Sequence, residues 1–196
     1  MRYSEAHKAK TRSRILKSAA SRFRERGIEG ASLPDVMKDA GLTVGGFYRH
    51  FDSKEALFAA AMDQSLSETL AIFDSGDESL RGRAWAEAVA KVYLSMGHRA
   101  NRTGGCALAA LAGDVARADE PLRARSGQNL EKLIDAVAKR LGGDSPGNAW
   151  AFLATLVGGL SLSRMVEDDD LARSILRGCR TSAAEFGAPL DETPQS

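Results

Sequence analysis

The sequence predicts an all-α protein, and three observations carry that prediction. Apolar residues recur at every third or fourth position along most of the 196 residues, which is the spacing of amphipathic helices. Polar stretches with glycine or proline, such as "NRTGG" and "GGDSPG", separate these segments. No alternation of apolar and polar residues is long enough to indicate a strand.

The first two helices are expected in the basic N-terminal part of the chain. "SLPDVMKDAG" opens with Ser32 as N-cap, has Asp35 three residues later and Pro34 in its first turn, and ends at Gly41. The helix before it lies in "KTRSRILKSAASRFRERG", where Gly27 is the expected C-cap. Its apolar residues fall at helical spacing at Ile15, Leu16, Ala19, Ala20 and Phe23.

A third, short helix is expected from about Thr43 to Phe51, and a longer one follows a cap at Asp52 or Ser53. The polar stretch "DSGDES" then interrupts the pattern. Five more helices are expected at residues 80–99, 105–117, 121–141, 147–166 and 171–186. The tail "GAPLDETPQS" has no periodicity, so residues 187–196 are expected to be disordered.

Composition narrows the class of protein. A hydrophobic content of 43% with 27% charged residues is typical of a soluble globular protein, and a chain of this length buries about 70% of its unfolded surface without a metal or disulfide. Cys106 and Cys179 are far apart and are expected to stay reduced. The polar start "MRYSEAHKAKTRSR" lacks the apolar core of a signal peptide, and the apolar residues 150–162 are too few to span a bilayer. We therefore expect a cytoplasmic protein.

The net charge of +1 hides an uneven distribution of charge. Residues 1–55 contain twelve basic and seven acidic side chains, whereas the remainder contains fifteen basic and nineteen acidic ones. A basic end on a slightly acidic body indicates a polyanionic partner at that end. The alternative interpretation is a charged face that is simply solvated.

The second and third helices form a helix-turn-helix signal. Between them, Ala40, Gly41 and Leu42 supply a small residue, a residue that tolerates positive φ and an apolar anchor. In such a unit the second helix enters the major groove of DNA. We expect a DNA-binding domain in residues 1–52, with the helix-turn-helix at about 31–51, and a helical regulatory and dimerisation domain in residues 53–186.

The stretch "GLTVGGFYRHFDSKEAL" supplies the candidate DNA contacts. The hydroxyl of Thr43 can cap the helix or reach DNA, and the methyl groups of Val44 suit a thymine methyl. Gly45 and Gly46 have no Cβ, so the backbone can approach DNA closely, at a cost in helix propensity of about 1 kcal/mol each.

Four polar side chains of the same stretch are candidate phosphate ligands. Tyr48 and His50 can donate hydrogen bonds, Arg49 adds charge, and Lys54 lies in the first turn of the next helix. Two aromatic side chains, Phe47 and Phe51, are expected in the core. The alternative is a helix-turn-helix that binds no nucleic acid, with the glycine pair marking only a turn.

The segment "RILKSAASRFRERGIEGASLPDVMKDAGLTVGGFYRHFDSKEALFAAAM" resembles the N-terminal domain of the TetR family of bacterial transcriptional regulators, most specifically in its G-x-x-x-G-x-x-Y-x-H-F-x-S-K-E-x-L spacing from Gly41. The resemblance implies a three-helix DNA-binding domain joined by a fourth helix to a larger helical domain. It implies DNA contacts at Ser32, Thr43, Gly45, Tyr48, His50 and Lys54. Ala31 stands where the family often has a hydroxyl residue, and Val44 and Gly46 are variable family positions, so the operator sequence is not implied.

The C-terminal part resembles one subgroup of that family in "GGCALAALAGDVARADEPLRAR" and "LVGGLSLSRMVEDDDLARSIL". This resemblance implies a homodimer built around the last two helices. Residues 150–166 are apolar on nearly all sides, which requires burial on two faces. The candidate dimer interface is the stripe Phe152, Leu156, Gly159 and Ser163 with Leu171, Ile175 and Cys179 on the next helix. The alternative is a central helix that is buried within one monomer.

A small-molecule effector, hydrophobic or aromatic, is expected because the family usually has an effector pocket. Large apolar side chains with few polar groups suit such a ligand, although they suit an ordinary core equally well. The candidate lining residues are Met62, Leu66, Trp85, Val89, Tyr93, Leu108, Leu111, Trp150, Leu153 and Val157. Cys106 near a helix start is either an electrophile-sensing thiol or an inert buried cysteine.

The predicted function is a ligand-responsive repressor that binds a near-palindromic operator as a homodimer. The alternative is a helical small-molecule-binding protein or an enzyme that uses the N-terminal helices as a scaffold, and a third possibility is a helical partner-binding module. The sequence contains no set of nucleophile, base and acid, no phosphate loop and no metal-ligand spacing. Neither catalysis nor a cofactor is therefore predicted.

Overall fold

The computed structural model describes residues 5–74, 79–142 and 146–187, and within them every regular element is a helix. The all-α prediction is confirmed. No described helix is long and apolar enough to cross a membrane. The α-helices are α1 (Glu5–Gly30), α2 (Leu33–Asp39), α3 (Lys54–Asp74), α4 (Gly82–Tyr93), α5 (Met96–Ala100), α6 (Ala107–Ala116), α7 (Glu120–Leu141), α8 (Pro146–Arg164) and α9 (Asp169–Ala184), and a 3₁₀ helix at Val44–Arg49 lies between α2 and α3. Apart from residue 187, the tail lies outside the described residues.

The first helix starts earlier than the periodicity predicted and is interrupted at the predicted glycine. It begins at Glu5, and Gly27 adopts φ 70° and ψ 176°, which is not helical, before helical residues resume up to Gly30. Gly27 therefore marks a kink, where the sequence predicted the end of the helix. A positive φ of this kind favours glycine.

The second helix has the predicted caps. The Ser32 hydroxyl accepts a hydrogen bond from the Asp35 backbone N–H (3.2 Å) and donates one to the Asp35 carboxylate (2.8 Å). Pro34 lies in the first turn, where its missing N–H costs nothing. These contacts fix the start of the helix that precedes the turn.

The third predicted helix is present, but it is a 3₁₀ helix. Its hydrogen bonds join residues three apart, from the Gly46 N–H to the Thr43 carbonyl (3.0 Å) and from the His50 N–H to the Phe47 carbonyl (2.8 Å). Two adjacent glycines have low helix propensity, so this segment depends on the packing of Phe47, which is fully buried.

The single helix predicted at residues 80–99 is wrong, because the structure breaks it between Tyr93 and Met96. Leu94 leaves helical geometry at φ −92° and ψ 51°, and Ser95 caps the next helix by accepting from the His98 N–H (3.1 Å). The His98 Nδ1 lies 2.7 Å from the Tyr93 carbonyl. The side chains of Ser95 and His98 thus satisfy backbone groups that a continuous helix would have paired.

The chain forms two compact units. The first comprises residues 1–66 and 102–126, and the second comprises residues 67–101 and 127–196, each to the extent that it is described. These divisions differ from the predicted boundary at residue 52, because the N-terminal parts of α3 and α7 and all of α6 pack with the N-terminal helices. The functional boundary between the predicted domains stays a prediction.

The core of the first unit is aromatic and fully buried where α1, α3 and the 3₁₀ helix face inward. Phe23 and Phe58 pack edge to face with ring centroids 5.1 Å apart, and Phe47 stacks on Phe51 at 6.0 Å. The prediction that Phe47 and Phe51 are core residues is confirmed. Removing such a side chain costs about 3–5 kcal/mol, so this core holds the turn in place.

The second unit is built on the contact of α8 with α9. A Cβ at Gly159 would lie 2.8 Å from both Cβ and Sγ of Cys179 and 3.0 Å from Leu94, so only glycine allows this approach. Two arginines fasten α5 to the end of α8: Arg99 donates to the Ser163 carbonyl (2.8 Å), and Arg164 donates to the His98 carbonyl (2.9 Å).

Candidate nucleic-acid interface and ligand cavity

The turn of the helix-turn-helix is fixed by Gly41 and Arg14. Gly41 adopts φ 65°, and a Cβ there would lie 2.8 Å from a terminal nitrogen of Arg14. That guanidinium of α1 donates to the Ala40 carbonyl at the end of α2. The predicted need for a residue that tolerates positive φ at position 41 is confirmed.

The exposed face of the 3₁₀ helix carries most of the predicted DNA contacts. Thr43, Gly45 and Arg49 are exposed, Val44 is 42% exposed and Tyr48 is 67% exposed. The Thr43 side chain makes no capping hydrogen bond, so its hydroxyl remains available for an outside partner. The exposed phenol of Tyr48 and isopropyl group of Val44 are accessible to a partner on this face.

The two adjacent glycines, Gly45 and Gly46, have different surroundings. A Cβ at Gly45 would meet nothing within 4 Å, whereas a Cβ at Gly46 would meet the Met37 Cε at 3.9 Å, an ordinary contact. Neither glycine has a positive φ. The fold therefore requires a glycine at neither position, and Gly45 is the one that leaves the outer surface clear.

Residues of α1 extend this surface beyond the predicted set. His7, Lys8 and Thr11 line a groove of about 380 Å³ together with Thr43, Gly46, Arg49, His50 and Leu42 of the turn and 3₁₀ helix. The sequence analysis did not select these three residues, although the basic segment that contains them was a signal. The groove is a positively charged concavity beside the exposed 3₁₀ helix.

His50 stays uncharged in this groove. Burial lowers the pKa of His50, and three neighbouring cations lower it further: Lys8, Arg12 and Arg49. Its Nδ1 is buried without a hydrogen-bond partner among the described residues. A phosphate placed against these cations would favour the protonated imidazole, because opposite charge stabilises the charged form.

Ser32 and Lys54 lie at helix starts on either side of the 3₁₀ helix and already have contacts. The Ser32 hydroxyl is engaged with Asp35, as described above. The Lys54 Nζ donates a long hydrogen bond of 3.4 Å to the Glu29 carbonyl. Thr43, Gly46, Arg49 and His50 share one groove, and Ser32 and Lys54 do not line it.

A separate cavity of about 550 Å³ lies within the second unit. Three of the ten predicted ligand-binding residues line it: Trp85, Val89 and Tyr93. The residues that the sequence analysis missed include Phe73, Leu80, Val92, Ser95, His98 and Arg140. Helical spacing identifies apolar faces, but the break between α4 and α5, which brings Ser95 and His98 to the cavity, has no periodic signal.

The other seven predicted pocket residues lie elsewhere. Met62, Leu66 and Leu111 are in the core of the first unit, with Leu108 packed against it. Leu153 is buried in α8, Val157 is partly buried there, and Trp150 is 44% exposed; none of these three lines the cavity. The structure therefore does not bring these seven residues to the cavity, because the apolar faces that they belong to pack in other parts of the fold; their role in ligand binding stays a prediction.

The predicted dimer stripe divides into buried and exposed parts. Phe152, Leu156 and Ser163 are fully buried, and Gly159 packs directly on Cys179. These four residues face the interior of their own unit, which matches the alternative of a central helix buried in one monomer. Leu171 is exposed, and Ile175 and Cys179 are partly buried.

A different strip of α8 and α9 faces outward. Leu162 is 52% exposed, and a Cβ at Gly158 or Gly178 would meet nothing within 4 Å. Together with Ile175 and Cys179 these residues line a shallow depression of small side chains. Residues 158, 162, 175 and 178 are called the α8–α9 surface below.

The two cysteines form no disulfide within the described residues. Cys106 is buried at the start of α6, and both cysteines are free thiols. Burial raises the pKa of the Cys179 thiol, which disfavours the reactive thiolate. Among residues 5–74, 79–142 and 146–187, no three His, Cys, Asp or Glu side chains are grouped to hold a metal ion.

Comparison with known proteins finds a family-model match in the N-terminal part of the chain. Residues 15–61 match the family model described as bacterial regulatory proteins, tetR family. The HTH-type transcriptional regulator UidR of Escherichia coli strain K12 is 34% identical over 90 residues, which are 46% of this chain and 44% of UidR. The HTH-type transcriptional regulator YdgC of Bacillus subtilis strain 168 is 47% identical over 49 residues, a quarter of each chain. The matches thus span less than half the length of these curated relatives.

Solved structures share the fold over nearly the whole chain. A TetR transcriptional regulator from Chloroflexus aurantiacus J-10-FL superposes with a TM-score of 0.74 at 25% identity, covering 92% of this chain and 96% of its own. The reduced form of Escherichia coli NemR gives 0.76 at 19% identity, covering 93% and 100%. Bacillus subtilis FadR, in complex with stearoyl-CoA, gives 0.68 at 14% identity, covering 91% and 99%.

Proposed function

We propose that this chain is a member of the TetR family of bacterial regulatory proteins, and that it is a transcriptional regulator that binds operator DNA as a homodimer and is released by a small-molecule effector. The family is one of DNA-binding regulators, which disfavours the alternative of an enzyme with a helical scaffold. Such a regulator acts on the bacterial chromosome and therefore in the cytoplasm.

The observation that carries the proposal is the exposed 3₁₀ helix beside a basic groove. Tyr48 and Arg49 project from a segment whose inner residue, Phe47, is fully buried. The core thereby fixes the direction of the outward side chains. In a helix-turn-helix this segment enters the major groove, where Val44 and Gly45 would meet base edges and Tyr48, Arg49 and His50 would meet phosphates.

The proposed DNA contacts keep the predicted residues and add two. Ser32, Thr43, Val44, Gly45, Gly46, Tyr48, Arg49, His50 and Lys54 remain the proposed contact set. We add Lys8 and Thr11, because they line the same groove as Thr43 and His50. Lys8 would contribute to the phosphate-dependent part of the affinity.

The proposed homodimer uses the α8–α9 surface. Its exposed Leu162 and open glycines allow the same helices of a second copy to approach closely, which a two-fold axis requires. In a dimer of this kind, the 3₁₀ helices of the two copies would lie in successive major grooves on one face of the duplex. The half-sites would then form a near-palindrome.

The binding test begins by selecting bound sequences from random duplexes and measuring affinity against salt. Phosphate contacts make the logarithm of the affinity fall linearly with the logarithm of the salt concentration. The variant Tyr48→Phe/His50→Gln/Lys54→Gln should bind the selected duplex at least about tenfold more weakly with a shallower salt slope. The matched control is Lys91→Gln/Arg173→Gln, which removes two exposed cations of the second unit. Unchanged binding of the triple variant would show that the contact set is wrong.

The proposed effector switch has its own test. An effector that releases the operator must bind the DNA-free conformation more tightly, and operator DNA must then weaken effector binding by the same factor. Binding of the effector is measured with and without saturating operator. Equal affinities in the two states would refute the switch while leaving DNA binding intact.

A further inference from the structure

One arginine of α1 is stacked on an aromatic ring at the border of the basic groove of the first unit. The guanidinium carbon of Arg12 lies 4.4 Å from the centre of the Phe51 ring. Arg12 directly follows Thr11, and Phe51 directly follows His50, and both preceding residues line the groove. The stacked pair therefore joins α1 to the end of the 3₁₀ helix beside that groove.

The core holds the Phe51 ring in place. Phe51 is only 5% exposed, its ring stacks on Phe47 with centroids 6.0 Å apart, and its backbone N–H donates to the Phe47 carbonyl (3.2 Å). Arg12 is exposed, so its side chain rests on a rigid support at the protein surface. A guanidinium held on such a ring has less rotamer freedom than a fully solvated one, and less entropy is lost when it binds a ligand.

Stacking leaves the hydrogen-bond donors of Arg12 available. A guanidinium carries five N–H donors in its own plane, and a ring that covers its flat face blocks none of them. Within residues 5–74, 79–142 and 146–187, no hydrogen bond or ion pair of the side chain engages these donors. Their planar fork matches two oxygens of a phosphate group.

The cations around Arg12 repel one another. Lys8 precedes it by four residues, about one turn of α1, which places two like charges side by side. Burial lowers the pKa of His50, and the same two cations, together with Arg49, lower it further. Their combined field thus reaches the groove. A polyanion would relieve this repulsion, whereas an uncharged partner would not.

We propose that Arg12 is a further ligand for DNA phosphate in this protein, and that Phe51 is the positioning residue that orients its guanidinium. The inference rests on the proposed function, because it adds a contact and its support to the proposed DNA interface. The predicted contact set lacks Arg12, and Phe51 was expected only in the core. Every nucleotide carries a phosphate, so Arg12 would add affinity without selecting a sequence.

The first test compares Arg12→Gln with the natural protein on two labelled duplexes of equal length, the selected one and an unrelated one. Fluorescence anisotropy gives the affinity at several salt concentrations. We expect the affinity for both duplexes to fall by the same factor, about three- to tenfold, and the slope of log affinity against log salt to become shallower by about 0.9 for each protomer bound. A merely structural role of Arg12 would weaken binding of the selected duplex alone and leave the slope unchanged.

Lys10→Gln is the matched control. It removes one exposed positive charge from the same helix, at a position about 200° around α1 from Arg12. Its affinity for either duplex should change by less than about twofold, with the same salt slope as the natural protein. Circular dichroism and thermal unfolding establish that each variant folds.

The role of the ring is tested by a double-mutant cycle. Phe51→Leu keeps an apolar side chain without a flat aromatic face, so it should weaken binding of both duplexes about threefold in the natural background and have no effect in the Arg12→Gln background. An equal effect in the two backgrounds would overturn the positioning role. If Phe51→Leu does not fold, Arg12→Lys decides: lysine keeps the charge without the planar fork, so the salt slope should be retained while the affinity falls about threefold. An unchanged affinity of Arg12→Lys would overturn the positioning role as well.

Three results would overturn the assignment of Arg12: an unchanged salt slope in folded Arg12→Gln, an equal change in Lys10→Gln, or a loss confined to the selected duplex. Salt-dependent binding by the natural protein together with any of these results would refute this inference alone. If the natural protein bound neither duplex, the proposed function would fail, and the inference with it.

Discussion

Replacing Gly41 with alanine tests how the turn of the helix-turn-helix is held. The new Cβ would force a residue with a side chain into φ 65° and would lie 2.8 Å from a terminal nitrogen of Arg14. That nitrogen donates to the Ala40 carbonyl, so the guanidinium cannot move aside without losing its hydrogen bond. The substitution therefore has two separable costs, one in the backbone and one in the contact with α1.

The two costs can be estimated separately. A left-handed conformation costs a residue with a Cβ about 1–2 kcal/mol, and a displaced hydrogen bond from a charged donor at a partly exposed site costs about 1 kcal/mol. Alanine recovers about 0.5 kcal/mol by restricting the unfolded chain. We expect Gly41→Ala to lower the free energy of unfolding by about 2 kcal/mol, which lowers Tm by roughly 4–8 °C for a chain of this size.

Urea unfolding followed by circular dichroism measures the change, with all variants at one protein concentration because association shifts apparent stability. Gly45→Ala is the control: its φ is not positive and its Cβ meets nothing, so stability should not fall. In an Arg14→Met background the cost of Gly41→Ala should drop by about 1 kcal/mol, since the contact is already absent. A cost below about 0.5 kcal/mol in the natural background would refute the reasoning from φ.

Three further predictions concern DNA, pH and association. Gly45→Ala should weaken binding to the selected duplex about tenfold or more without loss of stability, because the methyl group occupies the surface that approaches DNA; gel-shift titration beside thermal unfolding checks both. Burial lowers the pKa of His50 and of His98 below the ordinary value of 6.5, so the unfolded chain binds more protons than the folded one, and the free energy of unfolding should fall as pH decreases below 6.5. His50→Gln/His98→Gln should weaken this pH dependence of the free energy of unfolding, measured by urea titration at several pH values. An unchanged pH dependence in the variant would contradict the prediction. Leu162→Glu, on the α8–α9 surface, should yield monomers in sedimentation velocity, where Met165→Glu, just beyond the end of α8, serves as an exposed control.

The sequence predicted the cap of α2, the turn after it and the buried aromatic pair correctly, because each depends on a property of single residues. Ser32 caps α2 because its hydroxyl accepts from the Asp35 N–H. Gly41 occupies the turn because glycine adopts a positive φ at a lower free-energy cost than residues with a Cβ. Phe47 and Phe51 were predictable as core residues, since two aromatic side chains four residues apart fall on one face of the helix predicted from Thr43 to Phe51. The specific spacing from Gly41 onward lies within residues 15–61, which match the tetR family model.

The sequence alone determined that this is a helical protein with a basic, turn-containing N-terminal end, because helical periodicity, caps and charge are local properties. Only the tertiary structure decided which neighbour each apolar helix face packs against and which faces stay exposed. It buried Phe152 and Ser163 inside one unit, left Leu162 outside, and brought His98 and Arg140 to one cavity from two different helices. Helical spacing gives a face but not its neighbour, since neighbours are set by the crossing of helices that are distant in sequence. For the same reason, the two neighbouring glycines have different surroundings: a Cβ at Gly45 would meet open space, whereas a Cβ at Gly46 would meet Met37.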